Sequence, residues 1–178
     1  MNRRDFHRLG TKALGALVKL TVALPAAAFL LNPLRKASPA GADAPVFEGL
    51  VPLSQLKVGV PQSFGVVRDQ VDAWVKYPKE PAGSVWLVRQ PDGAEPPVIA
   101  YSAECPHLGC AINLAGDAKS FICPCHTSAF ALDGTPQNHV PPRPMDRLDV
   151  ELSDDADPEV RVRFQRFRTL AEEKIPLA

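Results

Sequence analysis

All four cysteines of the 178-residue chain lie in two short segments, and each segment also contains one histidine. The first segment is CPHLGC, Cys105–Cys110, and the second is CPCHTS, Cys123–Ser128. Each one offers a thiolate and an imidazole at short spacing, as Cys-x-His in the first and Cys-x-x-His in the second. For these four donors to share one centre, two separate loops must meet, and this requirement constrains the fold more than any other feature.

Two thiolates and two imidazoles, at Cys105, His107, Cys123 and His126, suit two kinds of metal centre. They can hold one tetrahedral zinc ion. They can also hold a two-iron, two-sulfur cluster in which one iron takes both cysteines and the other takes both histidines. The residue types alone leave both centres open.

Each segment contains one further cysteine, Cys110 in the first and Cys125 in the second. If these two pair, the bond joins the two loops, and closing a loop of about 15 residues contributes about 3 kcal/mol in the chain-entropy model. A zinc site does not need such a bond, whereas a solvent-facing cluster held on two loops benefits from it. A disulfide also implies an oxidising compartment.

Residues 1–34 differ in composition from the rest of the chain. MNRRDFHRLGTK is basic, and the run from Ala13 to Leu34 is mostly apolar, with Lys19 and Pro25 inside it. A membrane-spanning helix needs about 20 such residues, and the basic flank predicts that this end stays in the cytoplasm. Since RRDF resembles a twin-arginine export signal, we expect residues 1–34 to be a signal-anchor with a transmembrane helix. A cleaved signal and a buried core helix are the alternatives.

Residues 35–45, RKASPAGADAP, lack periodicity and are predicted to be a flexible hinge linker, although an ordinary connector has the same composition. Residues 46–178 form the predicted head domain. Its short β-type runs are SFGVVRD, VDAWVKY, GSVWLVRQ, PPVIAYSAE, SFICP, DRLDVEL and EVRVRFQRF. The nineteen prolines disfavour a helical bundle, so we expect an all-β, antiparallel domain of about eight to ten short strands.

In the last of these runs, apolar residues alternate with Arg161 and Arg163. The alternation predicts either a solvated sheet face or a basic docking strip. The charge of the whole chain is balanced, with 20 Lys and Arg against 20 Asp and Glu. The sequence therefore gives no indication of a nucleic-acid partner.

The two segments resemble the paired motifs C-x-H-x-G-C and C-P-C-H-x-S of Rieske iron–sulfur proteins. More narrowly, they resemble the disulfide-containing branch found in quinol–cytochrome c oxidoreductases (cytochrome bc complexes). The resemblance covers about Phe64 to Phe164 and the anchor–linker–head order. It implies an antiparallel β-sandwich of Rieske type with an inserted two-loop cluster-binding subdomain, at about residues 101–145, plus one N-terminal transmembrane helix.

The resemblance also implies a role for each motif residue around one [2Fe-2S] cluster. Cys105 and Cys123 would bind the inner iron, and His107 and His126 would bind the outer one. Ser128 matches the family serine whose hydroxyl donates to a bridging sulfide and thereby raises the potential.

Three further features follow from the same resemblance. Cys110 and Cys125 would form the disulfide, and Gly109 would give the first loop its permissive backbone. Val140–Pro144, VPPRP, matches the proline-rich loop that covers the cluster in the family, although a simple turn before the next strand also explains it.

The sequence departs from the family at two positions. Thr127 stands where this branch commonly has glycine, and Phe130 stands where high-potential members have a tyrosine that hydrogen bonds to a cysteine sulfur. Because Phe130 has no donor, we expect a potential below that of tyrosine-containing relatives, within the Rieske span of about −150 to +300 mV. Such a potential suits a menaquinol-type donor.

The implied function is that of the electron-transfer subunit of a membrane quinol–cytochrome c oxidoreductase. His126 would accept a proton from quinol while one electron passes through the cluster to a c-type haem. The implied partners are a cytochrome b subunit and a c-type cytochrome, in a dimeric complex of the cytoplasmic membrane, with a single-pass anchor and the head on the periplasmic side.

One alternative is the small Rieske subunit of a molybdenum oxidase resembling arsenite oxidase. A ferredoxin or oxygenase domain is another, disfavoured because those branches typically lack the extra cysteine pair. A zinc-binding or disulfide-stabilised adhesion module is the non-redox alternative.

Overall fold

The computed structural model describes residues 2–31, 46–72 and 75–177. The chain divides into two compact units, Met1–Ala44 and Pro45–Ala178. The predicted linker at residues 35–45 lies outside the described residues, as do residues 32–34 of the predicted anchor.

Among its described residues, the first unit contains one helix, α1, which extends over Arg3–Leu31. Its 29 residues correspond to a length of about 43 Å, which exceeds the roughly 30 Å hydrocarbon core of a bilayer. Its side chains are exposed within the unit, including Leu20 at 56% and Phe29 at 78%. Helix α1 is long and apolar enough to cross a membrane, and an N-terminal signal sequence would have the same length and composition.

The second unit contains nine β-strands within its described residues. They are β1 (Glu48–Pro52), β2 (Gln62–Asp72), β3 (Val75–Arg89), β4 (Val98–Ser102), β5 (Asn113–Leu114), β6 (Ser120–Ile122), β7 (Ala129–Ala131), β8 (Arg147–Leu152) and β9 (Glu159–Arg163). Neighbouring strands in both sheets pair antiparallel. The prediction of an all-β, antiparallel fold is therefore confirmed.

Six strands form one sheet in the order β1-β9-β8-β4-β3-β2. The sheet wraps around a single apolar core, to which every one of its strands contributes, so the two layers of the expected sandwich are parts of one nearly closed sheet. The fully buried members of this core include Val66, Val85, Leu87, Val160 and Val162.

The outward face of β9 is solvated. This agrees with the interpretation of the alternating arginines as a solvated sheet face. Arg161 pairs with Glu159 at 3.4 Å, and Arg163 pairs with Asp149 at 3.4 Å. Because both guanidinium groups already have acidic partners and stay accessible to solvent, β9 does not present the free basic strip that the other interpretation required.

The long hairpin of β2 and β3 differs from the prediction. VDAWVKY was expected to be one strand, but its first residues end β2 and Val75 begins β3, which continues through GSVWLVRQ to Arg89. Pro78 and Pro81 lie between the two predicted runs and are inside the continuous β3. They are tolerated because β4 pairs with β3 only from Val85 onward, so the earlier half of β3 has one free edge where no ladder donor is needed.

The chain between β4 and β8, residues 103–146, forms the insertion, with β5, β6 and β7 as a three-stranded sheet. A second apolar cluster is formed by Phe121, Phe130, Cys105 and Cys123 of the insertion together with Tyr101 of β4. The inserted subdomain is therefore confirmed, and its apolar centre contains two of the four candidate ligands.

Candidate metal centre

The first ligand loop follows β4 and turns back on itself within six residues. The backbone N–H of Cys105 donates to the carbonyl of Cys110, and the N–H of Gly109 donates to the carbonyl of Cys105, both at 2.8 Å. Gly109 has φ +78°, in the region that glycine enters without steric cost. A Cβ at this position would also lie 3.1 Å from Oε1 of Glu104, so the prediction that this loop needs glycine is confirmed.

The second ligand loop is the end of the hairpin between β6 and β7. Ile122, the last residue of β6, pairs with Ala129, the first residue of β7. Next to this pair, the N–H of Cys123 donates to the carbonyl of Ser128 at 2.8 Å. Thr127 has φ +60°, a conformation that costs a β-branched residue about 1–3 kcal/mol. The position where the family commonly has glycine thus keeps a glycine-like backbone although threonine occupies it.

A disulfide between Cys110 and Cys125 joins the two loops, with a Cα–Cα distance of 6.6 Å. This pairing confirms the one that the resemblance implied. It leaves Cys105 and Cys123 as free thiols.

The four candidate ligands differ sharply in burial. Cys105 and Cys123 are 0% and 2% exposed, whereas His107 is half-buried and His126 is exposed. The two imidazole rings meet edge to face, with their centroids 5.0 Å apart. The structure therefore places the two predicted thiols next to each other in the interior and the two predicted imidazoles next to each other in more exposed positions.

The environment of Cys105 disfavours an uncompensated thiolate. Burial raises the pKa of this thiol, and the neighbouring Cys123 raises it further, while the backbone N–H of His107 and the hydroxyl of Ser128 offset part of the rise. The cause is the cost of placing a negative charge in an apolar surrounding. A bound metal centre supplies the compensating positive charge.

Ser128 tests whether the site fits the implied cluster. Its hydroxyl is fully buried, and Oγ makes no hydrogen bond of good geometry within the described part of the chain, although it faces Cys105. A buried hydroxyl left unpaired costs about 1–3 kcal/mol. An inorganic sulfide at this centre would provide the missing acceptor, so the orphaned hydroxyl and the Cys2His2 donor set fit a two-iron, two-sulfur cluster.

The proline-rich loop adjoins the second ligand loop. Pro141 is buried, and Nδ2 of Asn138, just before the loop, donates to the carbonyl of Thr127 at 2.7 Å. Phe130 is fully buried and, as the sequence indicated, brings no hydroxyl to the site.

Sequence reasoning missed one buried ion pair in this region. Arg143, inside VPPRP, donates from Nε and Nη2 to the Asp146 carboxylate at 2.9 and 2.8 Å. Both side chains are only 5% exposed. The spacing R-x-x-D directly after prolines is a signal that could have suggested the pair.

Residues 51–150 match the family model described as the Rieske [2Fe-2S] domain, which covers more than half of the chain. The chain belongs to the Rieske iron–sulfur family. Its cofactor is therefore a [2Fe-2S] cluster, in agreement with the prediction.

Two curated Rieske relatives align over most of their length. The chain is 32% identical over 158 residues to the menaquinol:cytochrome c reductase iron-sulfur subunit of Bacillus subtilis (strain 168), covering 86% of this chain and 88% of that one. It is 29% identical over 160 residues to the subunit of the same name from Geobacillus thermodenitrificans, with the same two coverages, 86% and 88%. A solved cyanobacterial plasma membrane Rieske protein from Synechocystis PCC 6803 aligns with a TM-score of 0.43 and 23% identity, covering 67% of this chain and 99% of that one.

Proposed function

We propose that the chain is the electron-transfer subunit of a membrane quinol–cytochrome c oxidoreductase. The observation that carries the proposal is the contrast between the exposed His126 imidazole and the two buried thiols on two disulfide-linked loops, in a chain of the Rieske family. The two relatives that align over most of both chains are menaquinol:cytochrome c reductase subunits. They favour this function over the molybdenum-oxidase alternative.

Four side chains hold the cofactor in this proposal. The buried thiolates of Cys105 and Cys123 bind one iron, and the imidazoles of His107 and His126 bind the other. When bound, the cluster accepts and releases one electron at a time. The Ser128 hydroxyl, which is otherwise unpaired among the described residues, would donate toward the bound cluster and stabilise its reduced form.

His126 is the residue that meets the substrate. Because its side chain is exposed, the ring nitrogen that is not engaged in ligation can accept a hydrogen bond from a quinol hydroxyl. The same nitrogen then holds the proton that the quinol gives up, so proton and electron leave the quinol at one place. His126 thus acts as the catalytic residue.

The quinol is of the menaquinol class in this proposal. Phe130 provides no hydroxyl to hydrogen bond to a ligand sulfur, and a lost charge-assisted hydrogen bond lowers the potential of the cluster. A lower potential matches a more reducing quinol. A redox titration of the purified protein should give a midpoint potential well below +300 mV, the approximate upper end of the Rieske span, and a value at that upper end would exclude a menaquinol-type donor.

The protein is anchored in the membrane by α1, crossing once, with the head on the periplasmic side. The pair Arg3 and Arg4 then acts in twin-arginine export of a head that has already folded around its cluster. Replacing both with lysine should leave cluster-loaded protein in the cytoplasm, measured by cell fractionation. Arg8→Lys, in the same basic flank, is the matched control and should be exported normally.

The partners in this proposal are a cytochrome b subunit and a c-type cytochrome, in a dimeric complex. The head reaches both by moving on the linker at residues 35–45. Several prolines inserted into this linker should slow turnover without changing the cluster spectrum. Unchanged turnover would argue against a moving head.

An inhibitor titration tests the function as a whole. The paramagnetic signal of the reduced cluster is recorded in isolated membranes, with and without a quinol-site inhibitor. We expect the inhibitor to change the signal, because the exposed imidazole and the quinol site are in contact. A paramagnetic signal that is the same with and without the inhibitor would contradict the proposal and favour the molybdenum-oxidase alternative.

A further inference from the structure

The segment after β9, residues 165–177, lies beyond the part of the chain that matches the Rieske family model. We call it the C-terminal strap. It folds back on itself, since the N–H of Arg168 donates to the carbonyl of Ile175 at 2.8 Å and the N–H of Leu177 donates to the carbonyl of Arg166 at 2.9 Å. Phe167 is buried in the core of the six-stranded sheet. The strap is therefore an ordered segment that Phe167 anchors to the sheet core.

The strap contacts the first ligand loop on both sides of Cys105. Arg166 donates from Nε and Nη2 to the Glu104 carboxylate at 3.0 and 2.8 Å. The N–H of Leu170 donates to the carbonyl of Pro106 at 3.0 Å. Since Glu104 and Pro106 are the immediate neighbours of Cys105, the strap fixes the backbone on which one thiol ligand sits.

The next residue of the strap contacts the proline-rich loop. The carbonyl of Ala171 accepts a hydrogen bond from Nη1 of Arg143 at 2.6 Å. The remaining guanidinium donors of Arg143 bind the Asp146 carboxylate, and the Asp146 carbonyl accepts from the N–H of Ser102, at the end of β4, at 2.8 Å. A buried side chain therefore connects strap, proline-rich loop and sheet.

Leu170 adopts a strained conformation to make these two contacts. Its φ is +54°, in the region that non-glycine residues rarely enter. Leu170 and Ala171 are consecutive, and they reach two different loops. The chain accepts local strain at the point where the strap joins them, which is typical of positions whose geometry the surroundings impose.

We infer that the C-terminal strap is a positioning element for the cluster, and that Arg143 is the positioning residue that couples it to the proline-rich loop. This inference rests on the proposed role of Cys105 and His107 as ligands. The disulfide ties the first ligand loop to the second, while the strap ties it to the proline-rich loop. The loop therefore has two separate constraints, and it becomes mobile when both are lost.

A four-protein cycle on the full membrane-bound holoprotein tests this coupling. Its members are the natural chain, a chain ending at Phe167, the Cys110→Ser/Cys125→Ser variant, and the combination of both changes. Amide hydrogen exchange is measured in the peptide 104–112 and, as a reference, in residues 85–88 of the sheet core. Loss of the cluster is followed by its visible absorbance.

Each single change should raise exchange in peptide 104–112 about tenfold and leave residues 85–88 unchanged. The combined change should raise exchange, and speed cluster loss, by more than the product of the two single effects. An effect equal to that product would overturn the inference. So would equal loosening of residues 85–88, because the strap would then support the whole domain.

A point variant covers the case in which the shortened chain does not fold. Arg143→Lys keeps the positive charge, but a lysine ammonium lacks the planar guanidinium that hydrogen bonds to the Asp146 carboxylate and the Ala171 carbonyl at the same time. We expect a shifted paramagnetic spectrum of the reduced cluster and severalfold faster exchange in peptide 104–112. Arg163→Lys, in the exposed pair with Asp149, is the matched control and should change neither. A natural spectrum and natural exchange in Arg143→Lys would overturn the role of Arg143.

The function proposed above is tested separately, because the inhibitor response needs only an intact quinol contact.

Discussion

The six-stranded sheet and the insertion are stabilised in different ways. The sheet has strands as long as 11 and 15 residues in β2 and β3, and every strand contributes to one apolar core. The strands of the insertion have only two or three residues. Its loops are held by a disulfide, a buried ion pair and single hydrogen bonds.

This difference separates stability from ligand geometry. In the sheet, burial is spread over many side chains, so a substitution changes the free energy of unfolding and leaves the loops as they are. In the insertion, few contacts fix each loop, so one substitution can change the site while the sheet persists. The following variants test this division, from the largest expected effect to the smallest.

Replacing His126, an exposed ligand in the proposed function, should have the largest effect. His126→Ala should eliminate the paramagnetic signal of the natural cluster and quinol oxidation, because one iron loses a ligand that no neighbouring side chain replaces. His139→Ala, at another exposed histidine, should keep both. The far-ultraviolet circular dichroism of both variants should stay that of the natural sheet. A natural signal in His126→Ala would contradict the ligand assignment.

Truncating the sheet core should have the opposite outcome. Leu87 is fully buried, and Leu87→Ala should lower the free energy of unfolding by about 2–5 kcal/mol, measured by denaturant titration. The spectrum of the cluster should stay unchanged, since the ligand loops do not depend on this one side chain. A shifted spectrum would show that the two regions are coupled more tightly than the division requires.

Tyr101 lies where the two regions meet and gives the chain an alkaline sensitivity. Burial raises the pKa of its phenol above the ordinary value, and the Arg147 guanidinium, 5.8 Å from the ring centroid, offsets only part of the rise. Above a pH of about 10 the unfolded chain ionises this group while the folded chain does not. The free energy of unfolding therefore falls as the pH rises through this range.

Tyr101→Phe should remove that part of the alkaline loss. At neutral pH it should also raise the free energy of unfolding by about 1 kcal/mol, because the buried hydroxyl has no hydrogen-bond partner among the described residues. Denaturant titrations at pH 7 and at high pH measure both effects. Destabilisation at pH 7 would show that the hydroxyl is satisfied.

Relieving the strain at Thr127 should have the smallest effect. Thr127→Gly should raise the free energy of unfolding by about 1 kcal/mol, since the cost of the left-handed conformation exceeds the added freedom of glycine in the unfolded chain. The melting temperature of the holoprotein measures it. A lowered melting temperature would mean that the hydrogen bond from Oγ1 to the His126 carbonyl, at 2.6 Å, outweighs the strain.

The site was more predictable from the sequence than the contacts that support it. Four cysteines and two histidines in two short segments allow few arrangements, because thiolates and imidazoles have specific chemistry. The disulfide and the need for glycine at Gly109 followed from matching these segments to a known family. The burial of the thiols against the exposure of His126 also agrees with that expectation.

Other contacts depend on tertiary placement that no local pattern encodes. The R-x-x-D spacing could have suggested the pair of Arg143 with Asp146, but only the fold shows that the Ala171 carbonyl also accepts from Arg143. Beyond Phe167, where the predicted run EVRVRFQRF ends, the strap has no strand-like alternation that would mark it as structured. The continuous β3 was missed because its prolines are acceptable only at a free edge, which depends on where β4 stops pairing.

Pulsed electron paramagnetic resonance of the reduced protein, prepared with isotopically labelled histidine, tests the ligand arrangement most directly. Two histidine nitrogens should couple to the cluster, and metal analysis should find iron and acid-labile sulfide in equal amounts. A cluster without coupled histidine nitrogen, or a colourless protein that contains zinc, would contradict the arrangement of buried sulfur ligands on one iron and exposed nitrogen ligands on the other.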